Sequence, residues 1–368
     1  MPEVQRTINE EIVSHTFTTN PVSSNGVDFT NIVYIIPLTG NSGAGLTTID
    51  LGEHNSYYFV CTSAADLLIA NLTTAGSFSA LTIQAVSQYF AQIPRPSKLF
   101  IIAVDTANSD TASTMLTAYE VINENYSAVV TQDRTINGIA AIGTTLNGFT
   151  RKKLLLAQTD ATAIKSDNAT FLATNLGTAY AYPKFTSILV CADSTDNILG
   201  YAGSLLAGDI AVKCPPSDLL IESGVVSNYD ATTRANIRAN HANYYMLAGK
   251  IGRVREGRTL NGKFTYIALT TMWAVQDLQT RVLDDSNNGV AAKNKFPLNE
   301  EGQQRLIAIH EMHFDAGFKA GHYDNTKPSE VYSPDISDAD RESGTLRTIG
   351  SVWLKLSAIK FVMTTGAN

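Results

Sequence analysis

Two stretches of this chain carry residue types at spacings that could do chemistry. Gly40 to Thr47 read G-x-x-x-x-G-L-T directly after an apolar run. A phosphate-binding loop is written G-x-x-x-x-G-K-[ST]: its backbone amides cradle phosphate, its Lys neutralises the β/γ charge, and it opens into a helix. Here Leu46 stands at the Lys position, and Thr47-Thr48-Ile49-Asp50-Leu51-Gly52 is β-branched and breaks at a glycine. A turn between two strands accounts for the glycines with no nucleotide. The second stretch is His310-Glu311-Met312-His313. The zinc-protease motif sets two histidines at i and i+4, whereas these stand at i and i+3. A metal site would also need a third and usually a fourth ligand, and nothing ties His241 or His322 to the pair. His313 falls in line with Leu306 and Ile309, so the pair reads as packing or interface histidines.

Other reactive arrangements are missing their parts. Gly40-Asn41-Ser42-Gly43-Ala44 lacks the last glycine of a nucleophile elbow. Glu10-Glu11, Asp284-Asp285 and Glu300-Glu301 are sequence neighbours that point apart and mark solvated turns or caps. Cys61, Cys191 and Cys214 are odd in number, widely spaced and set in apolar surroundings, which reads as buried free thiols. The chain is expected to be no enzyme and to hold no metal or cofactor. One basic segment stands out. From Lys250 to Lys263 come Lys250, Arg253, Arg255, Arg258 and Lys263 against one acid, Glu256, in a chain of net charge -7. It reads either as a solvated hairpin or as an electrostatic contact with an acidic partner surface.

The elements that would position these residues fall into regions. With 368 residues, 44% apolar and 17% charged, the chain is long enough for two domains and a sizeable core. The acidic balance argues against direct nucleic-acid binding. No apolar run approaches the roughly 18 to 20 residues that span a bilayer, so no membrane insertion is expected. MPEVQRTINEE lacks the hydrophobic stretch of a signal peptide, and synthesis in a cytoplasm without general secretion is the expectation.

Residues 1–30 hold few large apolar side chains, with an extended alternation through Ile12, Val13 and Phe17 followed by loop formers, and read as an arm. Strand-length apolar runs follow at Ile32–Leu38, Tyr57–Cys61, Leu99–Val104, Ile139–Ile142, Leu154–Ala157 and Ile188–Ala192. Helical windows at Ser79–Gln92, Thr111–Asn125 and Thr195–Ala207 lie between several of them. Near-continuous apolar strands alternating with helices predict an α/β domain whose sheet is covered on both faces. A second region begins near Asp230, with a helix placing Ile237, His241, Tyr244 and Ala248 on one face up to Gly249. It continues with a strand at Phe264–Leu269, a helix through Val275, Leu278 and Val282, and a helix Glu300–Ala320 capped by Asn299. Ser351–Thr364 alternates as a terminal strand, with Val352, Leu354 and Leu356 opposite Trp353 and Lys355. The overall class is a mixed α/β (α+β) chain with extended strand arms at both ends.

Five landmarks in order then form a family pattern. Ala64-Ala65-Asp66-Leu67-Leu68 is followed by Gln88 to Leu99. Asn243-Tyr244-Tyr245, Ala248-Gly249 and Arg255-Glu256-Gly257-Arg258-Thr259-Leu260-Asn261-Gly262 come next. Trp273 with Phe296-Pro297-Leu298-Asn299-Glu300-Glu301-Gly302, and Ser337-Asp338-Ala339-Asp340-Arg341 with the closing strand, complete the series. Together they resemble the contractile tail sheath proteins, which build the outer cylinder of contractile phage tails and related injection machines.

The resemblance implies a two-domain architecture: an N-terminal arm 1–30, an outward-facing α/β domain 31–229, an inner α/β core domain 230–345 and a C-terminal strand arm 346–368. It implies that Ile12, Val13, Phe17, Val352, Trp353, Leu354, Leu356, Ile359 and Phe361 pair with neighbouring subunits through added strands. It implies a homopolymer of hexameric rings stacked helically around a tail tube, with baseplate and tail terminator proteins as further partners. The location implied is a virion tail assembled in the host bacterial cytoplasm. Lys250, Arg253, Arg255, Arg258 and Lys263, or the helix after Asn299, become candidates for facing the tube. A tube or baseplate subunit is an alternative, and a degenerate P-loop or metal hydrolase a more distant one.

Overall fold

A computed structural model describes residues 31–38, 47–48, 56–67, 78–106, 109–160, 180–191, 195–207, 219–288, 299–338 and 348–354. The described residues divide into two compact units, 31–269 and 270–354.

The first unit is built on a nine-stranded sheet. Its strands are β1 (Ile32–Pro37), β2 (Thr47–Thr48), β3 (Tyr57–Cys61), β4 (Leu99–Val104), β5 (Ala128–Thr131), β6 (Leu154–Asp160), β7 (Thr186–Cys191), β8 (Asn243–Ala248) and β9 (Ile251–Arg255). The order across the sheet is β2-β3-β4-β1-β5-β6-β7-β8-β9. From β4 to β8 every pairing is parallel, while β2 and β3 at one edge and β9 at the other run antiparallel. Parallel strands need crossovers on both faces, so their side chains are buried on both. That is why β4, β5 and β7 are buried at every position.

Among the described residues, α1 (Ala80–Ala91), α2 (Ala112–Ile122), α3 (Ile136–Gly148) and α4 (Ile198–Leu206) are helices that cover this sheet. Helices α1 and α4 pack on each other, as do α2 and α3. Val33, Ile35, Ile102, Val129, Leu155 and Ile188 join Met115, Leu116, Tyr119, Ile139, Ile142 and Leu146 in one core. A fully buried Leu or Ile in such a core contributes about 1.5–3 kcal/mol. Local sequence sets the helix starts: Ser79, Thr111 and Thr135 each accept an amide from the first turn of α1, α2 and α3.

Several sequence readings change here. Ile139–Ile142 is no strand but part of the buried face of α3, because Ile139, Ile142 and Leu146 recur at helical spacing. Strand β5, only AVVT, has no counterpart in the reading. The helix begun by Asp230 is α5 (Ala231–Ala239) and stops there. His241 takes a φ of 55°, the chain reverses, and Tyr244 and Ala248 lie in β8 instead. Phe264–Leu269 is not a strand; α6 spans Thr265–Asn288. The strands β8 and β9 extend the first sheet, so this compact unit continues past Asp230 to Leu269.

The second unit holds the remainder of α6, α7 (Glu300–Ala320) and a two-stranded antiparallel sheet of β10 (Glu330–Tyr332) and β11 (Ile349–Ser351). Asn299 caps α7 by accepting the Gly302 amide, with Glu300 and Glu301 in the first turn, and Gly321 at φ 81° ends it. That helix matches its reading from sequence. The glycine loop 39–46, the arm residues Ile12, Val13 and Phe17, and Leu356, Ile359, Phe361 and Cys214 lie outside the described residues. β1 precedes the glycine loop, and Thr47 and Thr48 after it are strand residues, where a phosphate loop would be entering its helix. Cys61 and Cys191 are free and buried.

Candidate assembly surfaces

The basic segment folds as the second half of the β8–β9 hairpin and the turn after it. Tyr244 pairs with Arg255, Met246 with Arg253 and Ala248 with Ile251. Residue 249 must turn the chain with φ at 66°, a left-handed value that glycine adopts at little cost. At the hairpin tip Leu247, Lys250 and Ile251 are exposed, while Arg253, Arg255 and Lys263 are half-buried. Val254 is buried, and its amide donates to the Leu219 carbonyl.

Arg258 differs from the other cations. Its guanidinium lies 4.7 Å above the Phe264 ring and 4.0 Å from Glu256, and it donates to the Gly262 carbonyl. Its backbone is clamped as well. The Asn243 side chain accepts the Arg258 N–H at 2.6 Å and donates to the Arg258 carbonyl at 2.8 Å. The same amide group donates to Ser187 and to the Ile188 carbonyl on the neighbouring strand. Asn243 is fully buried, so this is a low-dielectric junction at which each bond counts. Glu256, at φ 75°, also receives Arg238 at 2.7 Å. The ring of His241 packs on Gly262, where an added methyl would lie 3.0 Å from it. The asparagine and the Arg-Glu-Gly-Arg run noticed in the sequence are thus two halves of one backbone clamp. Of the five cations, Arg258 is a brace, and the other four line the hairpin and its turn.

In the second unit, the C-terminal strand lies on α7. Gly350 sits against Phe314, where an added methyl would come within 2.9 Å of the ring. Tyr323 forms an antiparallel bridge with Leu354, and the Asp324 N–H donates to the Trp353 carbonyl at 2.8 Å. Ile349, Trp353 and Tyr332 are exposed apolar groups on or beside this small sheet, and Val352 and Leu354 are half-buried. Two-stranded sheets are marginal alone and present edges that other chains can extend.

Beneath the strand lies a polar relay. His313, 1% exposed, places Nδ1 2.7 Å from Asp277 and Nε2 2.7 Å from the Tyr323 hydroxyl. Burial works to raise the Asp277 carboxyl, but hydrogen bonds from His313 and Arg281 outweigh it and hold it below the usual carboxylate value. An ionised Asp277 fixes the tautomer: Nδ1–H donates to Asp277, and Nε2 accepts from Tyr323. The Trp273 ring stacks 5.1 Å from His313 and lies 4.2 Å from His322. The sequence placed His313 on an apolar face, but Asp277 and Tyr323 were not singled out. The spacing of Trp273, Asp277 and Arg281 at successive i+4 steps on one helix was the available signal.

Among the described residues, no group of three His, Cys, Asp or Glu side chains could hold a metal ion, and no helix is long and apolar enough to cross a membrane.

No protein-family model matches the chain, and no curated protein matches it. Solved structures do. A chain in the baseplate of the anti-feeding prophage matches with a TM-score of 0.68 at 10% identity, covering 100% of both chains. A chain of the sheath complex of an extracellular contractile injection system, in its contracted state, matches with a TM-score of 0.64 at 14% identity over 97% of this chain and 98% of that one. A sheath tail protein from Listeria innocua matches with a TM-score of 0.52 at 8% identity over 91% and 96%. The fold is therefore a mixed α/β fold shared with these chains of contractile assemblies. More narrowly, it is the fold shared with these two sheath chains.

Proposed function

We propose that this chain is a structural subunit of a contractile tail sheath, which polymerises helically around a tail tube and contracts to drive the tube through a cell envelope. The observation that carries this reading is the length of the match: 97% of this chain and 98% of a sheath chain share one fold. Contraction needs no catalytic group. An extended lattice held behind a kinetic barrier collapses by rigid-body rotation of its subunits. Head-to-tail contacts that do not close into a ring generate helical arrays.

The polymer is held by strand addition. The arm residues Ile12, Val13 and Phe17, and Leu356, Ile359 and Phe361, extend sheets of neighbouring copies. Val352, Trp353 and Leu354 lead the chain to that exchange from the exposed β10–β11 sheet. Ordering an arm of about 15 residues costs on the order of 15–30 kcal/mol of backbone entropy. Hydrogen bonds at about 1 kcal/mol each and buried apolar side chains at about 2 kcal/mol each offset it only when a partner is present. In this reading the region from about 230 to 345, which includes the β8–β9 edge of the first sheet, holds the tube and the neighbours, and the part of that sheet before it projects outward. Lys250, Arg253, Arg255 and Lys263 meet an acidic tube surface. Further partners are the baseplate and the terminator of a virion tail assembled in the host cytoplasm.

The test is sedimentation of the concentrated full chain beside a variant carrying Ile12→Asp, Val13→Asp, Phe17→Asp and Phe361→Asp. The wild type should pellet as polymer and the variant should stay monomeric with an unchanged circular dichroism spectrum. A variant that polymerises as the wild type does would remove strand addition from the account.

A further inference from the structure

The attachments of the C-terminal strand converge on α7. Phe314 holds Gly350, and Tyr323 holds Leu354. Tyr323 is fixed by His313, which is fixed in turn by Asp277. One turn earlier on the same helix stands His310, whose ring lies 6.2 Å from that of Phe314. The Nδ1 atom of His310 is buried and has no hydrogen-bond partner among the described residues. A buried imidazole nitrogen of this kind tolerates the neutral ring. A proton there would create an N–H with no acceptor, against an aromatic ring.

We propose that His310 is an acid-sensitive joint, at which proton uptake releases β11 and residues 352–354 from α7. The ionisable groups around the joint are Asp277 and Arg281 from α6, His322 and Tyr323 from the turn after α7, and His310 and His313 themselves. The carboxylate of Asp277 is already engaged by Arg281 at 2.5 Å and by His313 at 2.7 Å, so it is committed before any proton arrives at His310. The proton arrives beside Phe314, whose ring seats Gly350 of β11 and lies 6.0 Å from that of Tyr323, the residue whose backbone bridges to Leu354.

The direction follows from linkage. Burial, reinforced by His313, lowers His310 to about 4 from an ordinary value of 6.5. The docked state therefore binds this proton less readily than a released one, and docking weakens as pH falls from about 6.5 towards 4. The joint does not depend on the sheath reading, because it is a property of one chain.

Hydrogen exchange of the full chain at about pH 7 and about pH 5, corrected for intrinsic rates, tests it. In the wild type, peptides covering 348–354 and 322–324 should lose roughly tenfold protection at the lower pH, while peptides from β1 and β4 keep theirs. His310→Phe should abolish that loss, and His313→Gln should lower protection of 348–354 at both pH values. Equal protection of 348–354 at the two pH values in the wild type would overturn the proposal. A His310→Phe chain as pH-sensitive as the wild type would do the same.

Discussion

Asn243 grips both backbone groups of Arg258, accepting its N–H at 2.6 Å and donating to its carbonyl at 2.8 Å. One buried side chain thereby stands in for a strand partner and joins β8 to the turn that leads into α6. Removing it leaves the Arg258 N–H unmatched, while the Arg258 carbonyl keeps only the Ser187 hydroxyl. Asn243→Ala should cost about 2–4 kcal/mol, read as a lower urea midpoint with an unchanged slope. A midpoint within error of the wild type would show that the clamp contributes no stability.

The cations of the hairpin should separate into two kinds. Arg253→Glu and Arg255→Glu should lower the melting temperature less than Arg258→Glu does, and should weaken assembly on a tube. Arg258→Glu should destabilise the fold itself by about 1–3 kcal/mol, because it removes the cation above Phe264 and sets an acid beside Glu256. Calorimetry of the three single variants gives the comparison. Three equal melting temperatures would erase the distinction.

The landmarks of this clamp were visible as letters in the sequence, but their use was not. Asn243 and Arg258 are 15 positions apart, and only the hairpin between them makes them neighbours. The α/β class was legible because parallel strands are apolar at nearly every position, as β4 shows with LFIIAV. Alternation fails where such runs are short. Ile139-Ala140-Ala141-Ile142 looks like a buried strand until Leu146 extends it to a helical face, and AVVT in β5 is too brief to register. The helix expected up to Gly249 ends early because His241 adopts a left-handed conformation, a local event that no periodicity announces. The relay under the C-terminal strand was half legible. His313 was placed on an apolar face, yet its partners come from 36 residues before and 10 residues after.

Gly317 reports on the seat of Tyr323. An added methyl at residue 317 would lie 2.1 Å from a ring carbon of Tyr323, closer than any real contact. Gly317→Ala should displace the ring, cost about 1–3 kcal/mol and raise proteolysis between 322 and 354. An unchanged cleavage pattern would mean that Tyr323 does not hold this segment.

Lys153 gives a pH dependence of opposite sense to an ordinary ion pair. It is 1% exposed, with Nζ 4.0 Å from the Tyr126 ring and 3.4 Å from Glu120. Burial lowers it to about 8 from 10.5, against the attraction of Glu120. Between about pH 8 and 10.5 the unfolded chain holds this proton more tightly than the folded one, so this group makes stability rise with pH there. Urea melts across that window should show the wild type gaining on Lys153→Met. Parallel curves would show that Lys153 keeps its ordinary value.

Negative-stain electron microscopy of the concentrated, purified full chain tests the sheath reading most directly. Hollow, transversely striated cylinders are the expected result. A monodisperse monomer that persists at high concentration, with or without added tube, would contradict it.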